Sequence, residues 1–85
     1  MSESKADFEL RLTCKRQVLE YLKRHGKTDC RLVKVLIDAT NARDSTQVWE
    51  DLEKWGHIEV ASDNMVQITG SGLRLLEDKG YWELM

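Results

Sequence analysis

The sequence predicts an α+β domain in which three helices precede a two-stranded hairpin and a fourth helix. Apolar residues recur at helical spacing in four stretches, and the apolar period changes to two between the third stretch and the fourth. Five glycines and no proline punctuate the chain. Because 85 residues suffice for one modest core, we expect a single domain over residues 1–85, with residues 1–7 flexible.

The first three helices are predicted at about 8–25, 29–39 and 45–55. Capping side chains precede the second and the third helix: Thr28 or Asp29, and Asp44 or Ser45. The side chains expected to face the core are Leu12, Val18, Leu19 and Leu22, then Leu32, Val33, Leu36 and Ile37, then Val48, Leu52 and Trp55. A left-handed C-terminal cap is expected at each glycine that follows a helical stretch, namely Gly26, Gly56 and Gly80.

A β-hairpin is predicted over residues 57–69, where apolar and polar side chains alternate around a short tip at 62–64. Thr69 is placed to cap the fourth helix. Gly72 lies in the first turn of that helix, where a side chain would stand between the helix and the hairpin. The apolar residues of this helix are Leu73, Leu75 and Leu76.

This order of elements is the layout of a winged helix-turn-helix with a three-helix core, a two-stranded β wing and a C-terminal helix. Residues 45–48 (STQV) and 52–60 (LEKWGHIEV) resemble the recognition helix and first wing strand of MarR, PadR and ArsR-type regulators of bacteria and phages. Residues 66–77 (VQITGSGLRLLE) are similar to the "LTxxGxxLL" segment that follows the wing in those families. With residues 18–22, the resemblance covers most of residues 15–80.

The resemblance implies a small cytoplasmic transcription regulator that binds duplex DNA through the helix at about 45–55. In such proteins the N-terminal half of this helix enters the major groove. Base contacts are then expected from Ser45, Thr46, Gln47, Trp49 and Glu50. Phosphate contacts are expected from Lys27, Arg31, Lys34 and Arg43. Gln47 is suited to adenine and Glu50 to the amino group of cytosine.

The resemblance also favours a homodimer, because the C-terminal helix often dimerises in these families. Residues 81–85 are therefore a predicted dimer contact. The alternative is that Tyr81 and Trp82 fold back on Phe8 and Leu10 within the same chain.

Charge favours a second function, that of a protein–protein interaction module of phage or mobile-element origin. Residues 1–43 carry ten Lys and Arg against six Asp and Glu, whereas residues 44–85 carry three against nine. The third helix contains Glu50, Asp51 and Glu53 against Lys54 alone, and the wing tip contains no Lys or Arg. Acids near a duplex oppose nucleic-acid binding. Trp49, at the edge of the apolar stripe, is then either an exposed interface anchor or half-buried against the first helix or the wing.

Neither catalysis nor metal binding is expected. Cys14 and Cys30 are isolated, and with His25 and His57 they form no metal-ligand spacing, so both are predicted to be buried or half-buried free thiols in a reducing compartment. No nucleophile–base arrangement, paired carboxylates or phosphate loop is present in the sequence, and no cofactor is expected. No apolar run reaches the roughly 18 residues of a membrane helix, and no export signal is recognised.

Overall fold

The computed structural model describes residues 5–41 and 45–82 of the chain, and the side chains of residues 8–40 and 45–82. This part forms an α+β domain of five helices and three strands, which confirms the predicted class. The elements are α1 (Lys5–His25), β1 (Thr28–Asp29), α2 (Cys30–Asn41), α3 (Ser45–Lys54), β2 (Ile58–Val60), β3 (Met65–Ile68), α4 (Gly70–Glu77) and α5 (Lys79–Trp82). Within the described ranges, no helix has the length and apolar character needed to cross a membrane. The flexibility expected of residues 1–7 stays a prediction.

The sheet is antiparallel with strand order β1-β3-β2. The predicted hairpin is present as β2 and β3, which pair Val60 with Val66. The prediction of only two strands is wrong, because β1 pairs Thr28 with Val66 on the other side of β3. A two-residue strand has no detectable period. Asp29 also caps α2 as predicted, since its Oδ1 accepts a hydrogen bond from the Arg31 N–H at 2.8 Å.

The core surrounds α1, which contacts α2, α3, α4 and β3. Its buried side chains come from every layer of the domain: Leu12, Cys14, Val18, Leu19, Leu22, Val33, Ile37, Val48, Leu52, Ile58, Val66 and Trp82. Most of the side chains that helical spacing predicted to face the core are among them. Because α1 supplies five of these side chains, it is the element on which the other helices and the sheet pack.

Two residues predicted to face the core are instead exposed. Leu32 is 58 % exposed and Trp55 is 65 % exposed. On α2 the core-facing stripe passes through Val33 and Ile37, and the 100° step between neighbouring residues turns Leu32 away from it. Trp55 departs from the helical period because α3 ends at Lys54, one residue earlier than predicted.

Glycine ends two of the three helices for which it was predicted to do so. Gly26 and Gly56 adopt φ values of 75° and 72°, the left-handed conformation of a C-terminal cap. Gly80 lies inside α5 instead, so this prediction is wrong. The chain turns earlier, at Asp78, whose N–H donates to the Leu75 carbonyl oxygen at 3.1 Å. The Asp78 side chain then accepts from the Tyr81 N–H at 3.2 Å, which caps α5.

Trp82 packs against its own chain. Its indole N–H donates to the Leu75 carbonyl oxygen at 2.9 Å, and the Arg16 guanidinium lies 5.8 Å from the ring centroid. Phe8 and Leu10, the residues that the fold-back alternative named, remain exposed. Residues 83–85 lie outside the described part, and the dimer contact predicted for residues 81–85 stays a prediction.

Gly72 is the point at which α4 approaches the sheet, as the sequence predicts. Thr69 caps the helix by accepting from the Gly72 N–H at 3.1 Å. The Thr69 N–H donates to the His57 carbonyl oxygen at 3.1 Å, which draws α4 onto β2. A Cβ atom at Gly72 would overlap that carbonyl oxygen and lie 2.7 Å from Ile68 Cγ1.

We therefore expect Gly72→Ala to lower the free energy of unfolding by roughly 2–3 kcal/mol, because the backbone of β2 must shift to admit the methyl group. Gly70→Ala is the matched control, since a Cβ atom there meets nothing within 4 Å and the position lies in the same helical turn. Urea denaturation of the two variants measures the difference. Equal stability of the two would contradict the close approach.

Candidate nucleic-acid interface

The helix predicted to read DNA, α3, presents a polar face to solvent. Val48 and Leu52 are buried against the core. The exposed side chains on the opposite side are Thr46, Gln47, Glu50, Glu53 and Lys54. The N-terminal half of α3 is therefore accessible to a partner, whereas Ser45 is half-buried at its first position.

A groove separates α3 from α2 beside this face. It is lined by Lys34, Ile37, Asp38, Ser45, Thr46 and Trp49. The Lys34 ammonium lies 5.1 Å from the centroid of the Trp49 ring, a cation–π distance. Trp49 is half-buried and packs against the core, so the half-burial of the second alternative is confirmed, but the side chains beside it in the groove lie on α2 and α3 and not on the first helix or the wing. The structure thus brings Lys34, Ser45, Thr46 and Trp49 to one groove.

Asp51 lies on the flank of α3 that faces α1 and is not part of the exposed acidic face. Its Oδ2 is 3.1 Å from the Lys15 Nζ, and its Oδ1 accepts from the Gln47 Nε2 at 2.8 Å. Burial by itself raises the pKa of Asp51, but these two hydrogen bonds and the Lys15 charge outweigh it, so the pKa lies below its ordinary value. Asp51 is therefore not one of the exposed acids of α3, although Glu50 and Glu53 against Lys54 still leave the exposed face net negative.

Gln47 keeps the groups that adenine recognition needs. A glutamine amide carries two N–H donors and one oxygen acceptor. One donor is engaged with Asp51, and the bidentate contact to adenine requires one donor and the oxygen. The Asp51 contact holds the amide in one orientation on α3. Glu50, one turn further along, is exposed as the sequence predicts.

The predicted phosphate contacts are spread along the N-terminal side of α2. Lys27 is exposed in the connection between α1 and β1, and Arg31 and Lys34 are exposed on α2 itself. The Arg31 Nε lies 3.6 Å from the Asp29 Oδ1, a solvent-exposed pair of little energetic weight. Arg43 lies outside the described residues.

The hairpin exposes the acidic side chains of Glu59 and Asp63. The Glu59 carboxylate accepts from the Gln67 Nε2 at 3.0 Å across the two strands. At the tip, the Asp63 carboxylate accepts from the Met65 N–H at 3.2 Å, and Asn64 adopts a φ of 62°. No Lys or Arg occurs in residues 57–69. Any phosphate contact by a Lys or Arg of this domain therefore comes from outside the hairpin.

The thiols and the second histidine belong to the packing of the domain. Cys14 is buried with its Sγ 3.8 Å from the Ile37 carbonyl oxygen, and burial raises its pKa to about 11. Cys30 is half-buried. Burial, together with the nearby Lys15 charge, lowers the pKa of His57. Among residues 5–41 and 45–82, no three His, Cys, Asp or Glu side chains cluster in a way that would hold a metal ion.

Comparison of the chain with protein-family models, with curated proteins and with solved structures gave no match. The resemblance to MarR, PadR and ArsR-type regulators therefore stays a prediction, and the geometry of α2, α3 and the hairpin carries the functional argument.

The Lys15–Asp51 contact gives a testable pH dependence. We expect Asp51→Asn to lower the free energy of unfolding at pH 7 by about 1–3 kcal/mol, because it removes a charged hydrogen bond between α1 and α3. Since the folded-state pKa of Asp51 lies below its ordinary value of 3.8, the wild-type advantage is complete above that pH. It declines as the pH falls through the folded-state pKa.

Urea denaturation of the wild type and of Asp51→Asn between about pH 2 and about pH 7 measures this dependence, because that range includes the ordinary pKa values of carboxyl groups. Glu50→Gln serves as the control, because Glu50 is exposed on the same helix. A stability difference between wild type and Asp51→Asn that is the same at every pH would refute the ion pair.

Proposed function

We propose that the chain is a winged-helix transcription regulator that binds duplex DNA with α2 and the N-terminal half of α3. The observation that carries this proposal is the groove between the two helices, which Lys34 and exposed Thr46 line together with one acid, Asp38. Exposed Gln47 follows Thr46 on α3. A cation for phosphate and neutral polar groups for base edges thus lie on neighbouring helices. Such a combination is typical of DNA recognition.

The charge balance of α3 is compatible with this function once Asp51 is paired with Lys15. Glu50 and Glu53 remain exposed, with Lys54 partly offsetting them. The attraction to phosphate then comes from Lys27 and Lys34. Because few cations take part and the hairpin is acidic, affinity is expected to be modest, and its dependence on salt is expected to be shallow, at about one slope unit for each phosphate contact.

Fluorescence anisotropy with random-sequence duplex DNA across a salt series tests the proposal. We expect binding at low salt, and we expect the logarithm of the association constant to fall linearly with the logarithm of the salt concentration. Lys27→Ala and Lys34→Ala should each reduce the magnitude of the salt slope by about one, because each removes one phosphate contact. Lys79→Ala, an exposed lysine on α5, is the control. Absence of binding at low salt, or binding without a salt slope, would reject DNA as the partner.

A second candidate function, protein binding, is favoured by Trp55. This side chain is 65 % exposed directly after α3, with the Lys54 ammonium 5.7 Å from its ring centroid. Exposed tryptophans are uncommon in soluble domains and are enriched among residues that anchor interfaces. Trp55 therefore replaces Trp49 as the aromatic anchor of this alternative.

The two tryptophans should respond differently to truncation. Trp55→Ala is expected to change the free energy of unfolding by no more than about 0.5 kcal/mol, because the side chain is exposed. Trp49→Ala is expected to cost about 2 kcal/mol or more, because it packs on the core and under Lys34. Urea denaturation measures the free energy of unfolding of both variants. A Trp55→Ala protein that keeps its fold and DNA binding but loses a co-purifying protein would favour the second function.

A further inference from the structure

Helix α2 carries two apolar stripes, and only one of them reaches the core. Val33 and Ile37 are buried. The second stripe, here named the α2 outer face, consists of Leu32, Val35, Leu36 and Ala39. Leu32 and Val35 are 58 % and 61 % exposed, Ala39 is exposed and Leu36 is half-buried. The positions i, i+3, i+4 and i+7 form a continuous stripe along one side of a helix.

This face differs from the other exposed apolar side chains of the described residues. Phe8 and Leu10 are two residues apart on α1, a spacing that points them in different directions. The α2 outer face, in contrast, has neighbouring members on successive turns. It is bordered by α1, where Tyr21 and Leu36 line a common groove. Contiguous apolar surface of this kind is typical of an interaction site.

The spacing of the α2 outer face is the same in both directions along the helix. When a second α2 lies antiparallel against the first, Leu32 meets Ala39 and Val35 meets Leu36. A two-fold axis between the helices generates this pairing, as an isologous dimer interface requires.

Charge on the flank of this face has the same symmetry. Arg31 and Asp38 are seven residues apart, which is two helical turns, so they project from the same flank. In an antiparallel pair, Arg31 at the amino end faces Asp38 of the partner subunit at the carboxyl end, and the two-fold axis repeats the contact.

We propose that this domain forms a homodimer in which the α2 outer faces of two copies pack antiparallel across a two-fold axis. The surface is turned away from the groove at α3, because Leu32 and Lys34 are about 160° apart around the helix. The dimer meets the groove at one edge, because Asp38 also lines the groove, and it leaves the α3 side of the groove open. The dimer interface contains Arg31, whereas Lys27 and Lys34 stay available for phosphate contacts. The dimer does not rest on DNA binding, and its test uses no DNA.

One pair of short helices buries a small interface, so the association is a concentration-dependent equilibrium. We expect sedimentation equilibrium of the full chain to give a dimer with a Kd on the order of 10–100 μM. Val35→Glu should weaken it at least tenfold by placing two carboxylates in the apolar stripe. Leu73→Glu, an exposed leucine on α4, is the control and should leave the Kd unchanged. Far-UV circular dichroism establishes that both variants are folded.

Charge reversal tests the antiparallel arrangement separately. R31E and D38R alone should each weaken the dimer about five- to twentyfold, and the double variant should recover most of the loss, because it exchanges the two charges across the interface. A wild-type chain that stays monomeric up to about 1 mM would overturn the proposal. So would a dimer that survives Val35→Glu, or a double variant no more dimeric than R31E alone.

Discussion

The burial of one face of α1 determines where every other part of this domain lies. Leu19 and Leu22 are fully buried, and α1 contacts α2, α3, α4 and β3 along its length. The same helix positions polar groups, since Lys15 projects from it to the Asp51 carboxylate on α3. The orientation of α3 is thus set by apolar packing of Val48 and Leu52 on one side and by an ion pair on the adjacent side. Loss of either would free the helix that the proposed function requires to be fixed.

The ion pair also alters the surface that α3 presents. A carboxylate that is hydrogen-bonded to Lys15 and Gln47 contributes little negative potential to a partner. The remaining acids of α3, Glu50 and Glu53, do not line the groove that contains Lys34, but they line a neighbouring depression that shares Trp49 with it. Within the groove itself, Lys34 is accompanied by the neutral side chains of Ser45 and Thr46 and by one acid, Asp38.

The sequence was sufficient to predict α1 to α4 and the hairpin, because these depend on periodicity and capping within one segment, whereas the short α5 was not predicted. Thr69 and Gly72 were predicted in their roles for the same reason. What could not be predicted depends on neighbours distant in the chain. Thr28 pairs with Val66, which is 38 residues away in the chain, and Asp51 accepts a hydrogen bond from Lys15, which is 36 residues away.

Helical spacing alone also fails where it permits two solutions. Apolar residues on both sides of α2 satisfy the helical period, and only packing decides that Val33 is buried and Leu32 is exposed. Trp55 continues the stripe of α3 in the sequence, but the left-handed Gly56 ends the helix before the side chain can turn inward. For the candidate site, the residue types of α3 were predictable, whereas the half-burial of Trp49 under Lys34 required the structure.

We propose that the groove between α2 and α3 is the surface that binds nucleic acid. Titration of isotope-labelled protein with duplex DNA, followed by amide chemical shifts, tests this proposal. We expect the shifts to change most at Lys34, Thr46 and Gln47, with little change at the Asp63 tip of the hairpin. Changes centred on the hairpin tip or on Trp55, with the groove amides unmoved, would contradict it.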